Sequence, residues 1–394
     1  MTMVHEWFWE YLNVAHGRPI TPLLATYSAM VGIAGAIFLF WAWRRWRSHD
    51  SDSAEQYFAL PLAVALMIAG LTNPVLEVEQ PGRLWHAYVF GWDDAGTAII
   101  KFGVVLLPLF ALLCWWLAVA VLAPNIERAL VGRSAAVRGI ADVATLWVRR
   151  FNPLAGEASS RAIAVIGVLL AVFAILYSGV FLMTEHGVVL WGSAFVPAIF
   201  FSSAIAGGAG LLWLLLPLGS YLRDGRARPA HMGNPSALWI ASLASTALWL
   251  LWLQYARHFG GVELHRALAL VDGPYRGLAW YWWFGLGTVL PSLLLFPRAL
   301  RRNPLVSAVA AAAAVVGAFA LRYALVIVGQ AVPKSGAGYY LYTVPPEMWT
   351  ALILDFAYCI GWMALFWAVL PYGTGAKKDI STTTISKEAV SHGG

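Results

Sequence analysis

About nine apolar stretches constrain this chain more than any motif in it. They lie near 20–43, 57–76, 99–122, 162–183, 194–221, 236–256, 279–299, 305–328 and 347–371. Each approaches the roughly 20 residues that a helix needs to cross a hydrocarbon core. Charge, Pro or Gly clusters mark the interior boundaries. Lys and Arg collect in every second gap. Arg44, Arg45 and Arg47 follow the first stretch; Arg128, Arg133, Arg138, Arg149, Arg150 and Arg161 follow the third; Arg223, Arg226 and Arg228 follow the fifth; Arg298, Arg301 and Arg302 follow the seventh. The tail adds Lys377, Lys378 and Lys387. The N-terminal segment and the intervening gaps hold only Arg18, Arg83, Arg257, Arg266, Arg276 and Lys334, a division of 18 against 6 that leaves Lys101 and Arg322 inside helices. This alternation predicts an all-α, multi-pass integral membrane protein with its basic loops in the cytoplasm. The N-terminus is then outside and the C-terminus inside.

Composition agrees: 60% of the 394 residues are hydrophobic and 12% charged, more apolar surface than a soluble domain can hide. The net charge of +6 sits in the inner loops, where topology and anionic lipid account for it without nucleic acid. Many of the 21 Trp lie near segment ends, among them Trp41, Trp43, Trp46, Trp280, Trp282 and Trp283, as expected of interfacial belts. Cys114 and Cys359 lie in apolar stretches and offer no ligand spacing, so neither a metal site nor a disulfide is expected. The first twenty residues are too polar for the core of a cleavable signal.

The pattern divides the chain into an outer-surface segment at 1–18, transmembrane helices one to three within 19–122, an amphipathic cytoplasmic linker at 123–161, helices four to nine within 162–371, and a polar, disordered cytoplasmic tail at 372–394. The helices are expected to form a first four-helix bundle and a second bundle. Small residues at 32–36, 203–210 and 308–318 predict close helix approach. Neither a β-barrel alternation nor an inverted repeat is seen.

None of the nine histidines occupies the middle of an apolar stretch, which disfavours a buried haem with axial His ligands. Arg322 and Asp355 are intramembrane charges at similar depths from the outer side, and are expected to face each other or share a polar cavity. Lys101 opens the third helix and is expected to snorkel. The outer rim is rich in polar and aromatic groups: Glu77, Glu79, Arg83, Trp85 and His86, then Asp93 and Asp94, with Tyr177, Thr184, Glu185 and His186 at the fourth helix. Phenol, imidazole and carboxylate at a bilayer edge suit a lipid-soluble redox ring, which needs partners for two oxygens and a proton acceptor. The same residues also suit an ordinary rim of snorkelling and capping groups.

The run Glu77-x-Glu79-Gln80-Pro81-Gly82-Arg83-x-Trp85-His86 resembles a loop of the NrfD-like family, the membrane subunits of polysulfide, tetrathionate and related respiratory reductases. The family pattern is Asp-Leu-Gly-Arg-Pro-x-Arg-x-Trp. Pro81, Arg83 and Trp85 match and Glu77 stands for the Asp, whereas Glu79 and Gln80 replace the Gly and first Arg. Tyr27 with Gly32-x-Ala34-Gly35, Tyr177-x-Gly179, Leu190-Trp191, Arg322-Tyr323, Gly329-Gln330 and Pro345-Pro346-Glu347 are similar to further family positions, in order along nearly the whole chain.

The resemblance implies quinol or quinone chemistry, with quinone or menaquinone as substrate, in the first bundle near the outer face. It implies no haem, and iron–sulfur clusters and a molybdenum cofactor only in partners: an iron–sulfur electron-transfer subunit and a molybdopterin catalytic subunit. Tyr177 matches a quinone-contacting Tyr. The family's Asn-x-x-His pair corresponds either to Asn13 and His16, by local pattern, or to the neighbourhood of Tyr27, by helix alignment. Glu77 or His186 would take protons; Arg83 and Trp85 are further cofactor-binding candidates, with Arg83 also anchoring the loop that faces the partner. Arg322 and Asp355 are candidates for proton movement or for structure alone. Two other readings stand beside this one: a secondary transporter of an anionic substrate using Arg322, Asp355 and Lys101, and a structural anchor whose quinone site has decayed.

Overall fold

The computed structural model describes residues 20–47, 54–77, 81–90, 92, 99–132, 134–145, 157–185, 187–224, 234–331 and 344–369. These residues are almost wholly helical: α1 (Pro22–Arg47), α2 (Ala54–Glu77), a 3-10 turn at Pro81–Arg83, α3 (His86–Val89), α4 (Ile99–Leu130), α5 (Ala135–Ala144), α6 (Glu157–Thr184), α7 (Phe195–Asp224), α8 (Pro235–His258), α9 (Val262–Asp272), α10 (Gly277–Val289), α11 (Leu290–Leu294), α12 (Arg298–Arg301), α13 (Pro304–Gln330) and α14 (Pro346–Val369). Eight of them are long and apolar enough to cross a membrane: α1, α2, α4, α6, α7, α8, α13 and α14. The protein is therefore a multi-pass membrane protein.

The expected seventh crossing has a different form. Gly277–Val289 is a π-helix that runs directly into α11. It lies alongside α8 over most of that helix's length. Near one end Arg257 pairs with Asp272 at 3.6 Å, in the middle Trp249 meets Trp283 at 4.0 Å, and near the other end Trp239 Nε1 donates to Ser292 O at 3.1 Å. Among the described residues eight helices thus meet the length and hydropathy of a crossing, close to the expected nine, and the expected seventh is the π-helical stretch beside α8.

Lipid tails are as apolar as Leu, so helices associate in a bilayer through close van der Waals packing and interhelical hydrogen bonds. The small-residue stretches supply the first. Gly208 of α7 lies against Ala36 of α1, Gly207 against Ala318 of α13, and Gly210 against the Ala311 backbone. At the α10–α13 crossing Gly287 and Gly317 meet backbone to backbone, and a Cβ on either would overlap the other. α1 is the central helix, packed against α2, α6, α7, α13 and α14. With α2, α4 and α6 it forms the first bundle; α7, α8, α10 and α13 form the second. α14 returns to pack on α2 and α1 and leaves most of its surface outward. α5 joins two helices, α4 and α6, of the same bundle.

The tryptophans divide in two. Trp43, Trp46 and Trp282 are exposed, as belt residues should be. Trp41 and Trp283 are instead core residues, each 1% exposed, and Trp283 closes a cluster with Trp249 and Trp252, whose rings stack at 4.8 Å. Position near a segment end sets depth but not azimuth. Cys114 and Cys359 are both free and buried.

Candidate functional site

The N-terminal end of α1 is held by three side chains from two other helices. Gln330, at the end of α13, brackets the Ile20 peptide: its Oε1 accepts from Ile20 N at 2.6 Å and its Nε2 donates to Ile20 O at 3.0 Å. Glu77, at the end of α2, accepts from Thr21 N at 3.2 Å and from the Thr21 hydroxyl. One turn deeper, the Thr26 and Tyr323 hydroxyls share a hydrogen bond at 2.5 Å. These contacts place the start of α1, the end of α2 and the end of α13 at one membrane face. A carboxylate at the first turn of a helix also meets its unsatisfied N–H groups and positive dipole end.

Fixing α1 fixes Tyr27. It is 7% exposed and lies beside Tyr177 and Ser178 of α6. Tyr177 is 8% exposed; its ring packs against Phe173 at 5.4 Å and Phe181 at 6.4 Å, and its hydroxyl reaches Ile100 O of α4 at a long 3.4 Å. Ser178 is buried, and its hydroxyl lies within hydrogen-bonding reach of the Tyr27 phenol without a well-aligned bond to it. The first bundle thus gathers three hydroxyls, two phenolic and one aliphatic, among aromatic side chains. A ring with two oxygens has donors and acceptors available there. The arrangement depends on Gly103 of α4, where a methyl group would overlap the Tyr177 ring.

Thr21 precedes Tyr27 by six residues, about 9 Å along the helix. Glu77, bonded to Thr21, therefore lies between the hydroxyl cluster and the membrane face where α1 begins. Arg83 and Trp85 are exposed beyond it, and Trp85 meets His86 edge to face at 4.1 Å. Lys101 snorkels as expected: Nζ donates to Phe90 O at 2.5 Å and lies 5.2 Å over the Trp92 ring. Asn13, His16 and His186 lie outside the described residues.

Arg322 and Asp355 do not pair. Arg322, fully buried, turns to α7: Nη1 donates to Ser203 Oγ at 2.9 Å and Ala318 O at 2.8 Å, Nη2 to Phe200 O at 3.2 Å, and the guanidinium lies 4.8 Å over the Phe200 ring. Asp355 turns to α2 and accepts from Asn73 Nδ2 at 2.8 Å. Their depths are as expected, eight residues before Gln330 and nine after Pro346. The difference is in azimuth, because α14 docks on the first bundle. Sequence reasoning also missed Thr21, Ser178, Gly103, Asn73 as a partner, and the Gln330 bracket. For Gln330 a signal existed: a carboxamide at the last position of an apolar helix has no lipid-facing role.

A family profile described as "Polysulphide reductase, NrfD" matches residues 20–334. The C subunit of tetrathionate reductase from Salmonella typhimurium strain LT2 is 25% identical over 367 residues, covering 89% of this chain and 92% of that protein. A putative dimethyl sulfoxide reductase membrane protein of Halobacterium salinarum, the C subunit of its complex by name, is 27% identical over 293 residues, covering 72% and 62%. The matched span runs from the Ile20 bracket through every helix up to α13, so the chain belongs to the NrfD polysulphide reductase family.

Proposed function

We propose that this chain is the quinone-reactive membrane subunit of a respiratory reductase complex, exchanging electrons between the quinone pool and an iron–sulfur subunit on the outer face. The observation that carries the reading is the Tyr27–Tyr177–Ser178 cluster of three hydroxyls, buried among aromatic side chains in the first bundle. Tyr27 is preferred over Asn13 and His16 as the partner of Tyr177 because the fold sets the two phenols side by side. In the quinol-oxidising direction two protons and two electrons leave the ring. Tyr177 and Tyr27 hold its oxygens and Ser178 offers a further hydroxyl. Glu77 receives protons on the outward side, with His186 as a second acceptor. Electrons pass to the iron–sulfur partner, and a molybdenum subunit completes the complex. Arg83, Trp85 and His86 form the rim that meets the partner. The chain lies in the bacterial inner membrane, N-terminus outside and C-terminus in the cytoplasm.

The transporter reading requires an intramembrane charge open to substrate. Arg322 is closed in by Gly32, Phe200, Ser203 and Ala318, which argues against it. We assign Arg322 and Asp355 to holding helices together. Asp355→Asn keeps an acceptor for Asn73, so quinol turnover is expected to stay within about twofold and stability within about 0.5 kcal/mol. A drop of tenfold or more in turnover by the assembled variant would instead make Asp355 a proton carrier.

The site itself is tested by Gly103→Ala. Fluorescence titration of the complex with the quinol analogue heptyl-hydroxyquinoline-N-oxide should show one saturable site in the wild type. The variant should bind at least about tenfold more weakly, a loss of about 1.4 kcal/mol. Equal binding in an assembled variant would remove the ligand from this pocket.

A further inference from the structure

α5 takes no part in the site, and its two faces differ. Gly132, with φ of +76°, turns the chain after α4, and Ser134 caps α5 by accepting from Val137 N at 3.4 Å. Asp142 and Thr145 are 3% and 6% exposed and mark the side turned to the protein. Away from them Val137, Ile140 and Val143 stand 44%, 70% and 60% exposed. At 100° per residue these three cover a continuous stripe about 120° wide. Val131, just ahead, is 80% exposed. A water-facing linker has no use for four large exposed aliphatic groups.

Charge and position identify what covers them. Arg128 is exposed just ahead of the stripe, Arg138 is exposed on the other side of the helix, and Arg133, Arg149 and Arg150 flank α5 in sequence. After Ala123 the apolar run of α4 gives way to Asn125, Glu127 and Arg128, so residues 124–130 set the start of α5 about 10 Å beyond the hydrocarbon edge, at headgroup depth. An apolar stripe with basic flanks at that depth matches an in-plane interfacial helix on an anionic leaflet. We infer that α5 is a lipid-binding helix lying in the cytoplasmic headgroup layer. Val137, Ile140 and Val143 insert to the acyl boundary while Arg128 and the arginines that flank α5 in sequence hold anionic phospholipid headgroups. The word cytoplasmic rests on the orientation proposed above; the contact with lipid does not.

The test uses the whole complex, with Cys114 and Cys359 changed to Ala and Ile140→Cys or Arg138→Cys labelled with bimane. It is reconstituted into vesicles of phosphatidylcholine with phosphatidylglycerol, or of phosphatidylcholine alone. The expected result is strong quenching at position 140 by doxyl-labelled lipid and shielding from iodide, with the reverse order at 138. Removing phosphatidylglycerol, or introducing Arg133→Gln with Arg128→Gln, should raise iodide access at 140. Equal iodide access at both positions in both vesicle types would overturn the inference. So would shielding at 140 that is independent of lipid and disappears when the partner subunits are stripped, which would make the cover a protein. Sidedness is read separately in spheroplasts with an impermeant maleimide: Gly261→Cys, an open outer position, should be modified and Ile140→Cys should not. The opposite labelling would overturn the cytoplasmic assignment and the orientation together, even with doxyl quenching intact.

Discussion

Tyr177→Phe is expected to lower quinol turnover by the intact complex at least about 100-fold, the scale of losing one positioned proton-transfer group. The protein itself should tolerate the change. Phe keeps the ring that packs between Phe173 and Phe181. The hydrogen bond lost is the 3.4 Å contact to Ile100 O, long enough to contribute little. Subunit composition and melting temperature should therefore match the wild type while turnover collapses. Tyr27→Phe should act in the same direction. The double variant should be no worse than about the weaker single one, because groups that hold one substrate fail as a unit. Wild-type turnover in an assembled Tyr177→Phe complex would mean that quinol is held elsewhere.

The second large effect is structural. Gly317→Ala should destabilise the subunit by about 1–3 kcal/mol, the usual cost of overpacking, and Gly317→Leu should prevent assembly. Alanine is intrinsically the better helix former by about 1 kcal/mol, so a loss of stability isolates the clash with Gly287. The consequence reaches the site. α13 carries Tyr323 and Gln330, two of the three side chains that fix the start of α1, and α1 carries Tyr27. Any Gly317→Ala complex that assembles should also lose quinol turnover. A complex with wild-type melting and turnover would contradict the backbone contact between α10 and α13.

Spans are legible in the sequence because hydropathy and length act along one axis. The eight long helices follow from 20-residue apolar runs, and the expected crossing at Gly277–Leu294 is countable from hydropathy although its π-helical form is not. Azimuth is not legible. Arg322 and Asp355 lie at matching depths, yet one bonds Ser203 on α7 and the other Asn73 on α2. Apolar residues surround each membrane helix on every side, so no amphipathic face tells which neighbour it meets. Trp283 looks like a belt residue and is a core residue for the same reason. Glu77 and Tyr177 stand out because polar groups in an apolar run are conspicuous. Their setting, the Thr21 contact and the space left by Gly103, depends on pairs distant in sequence.

The central claim, a quinol site in the first bundle feeding electrons to an iron–sulfur partner, is tested most directly on the gently solubilised, affinity-purified native complex. Its spectrum is followed in a stopped-flow mixer after addition of a menaquinol analogue. The account predicts co-purifying iron–sulfur absorption without a haem Soret band, bleached on the turnover timescale in the wild type and at least about 100-fold more slowly in Tyr177→Phe. A lone, colourless protein, or clusters that bleach equally fast in both, would contradict it.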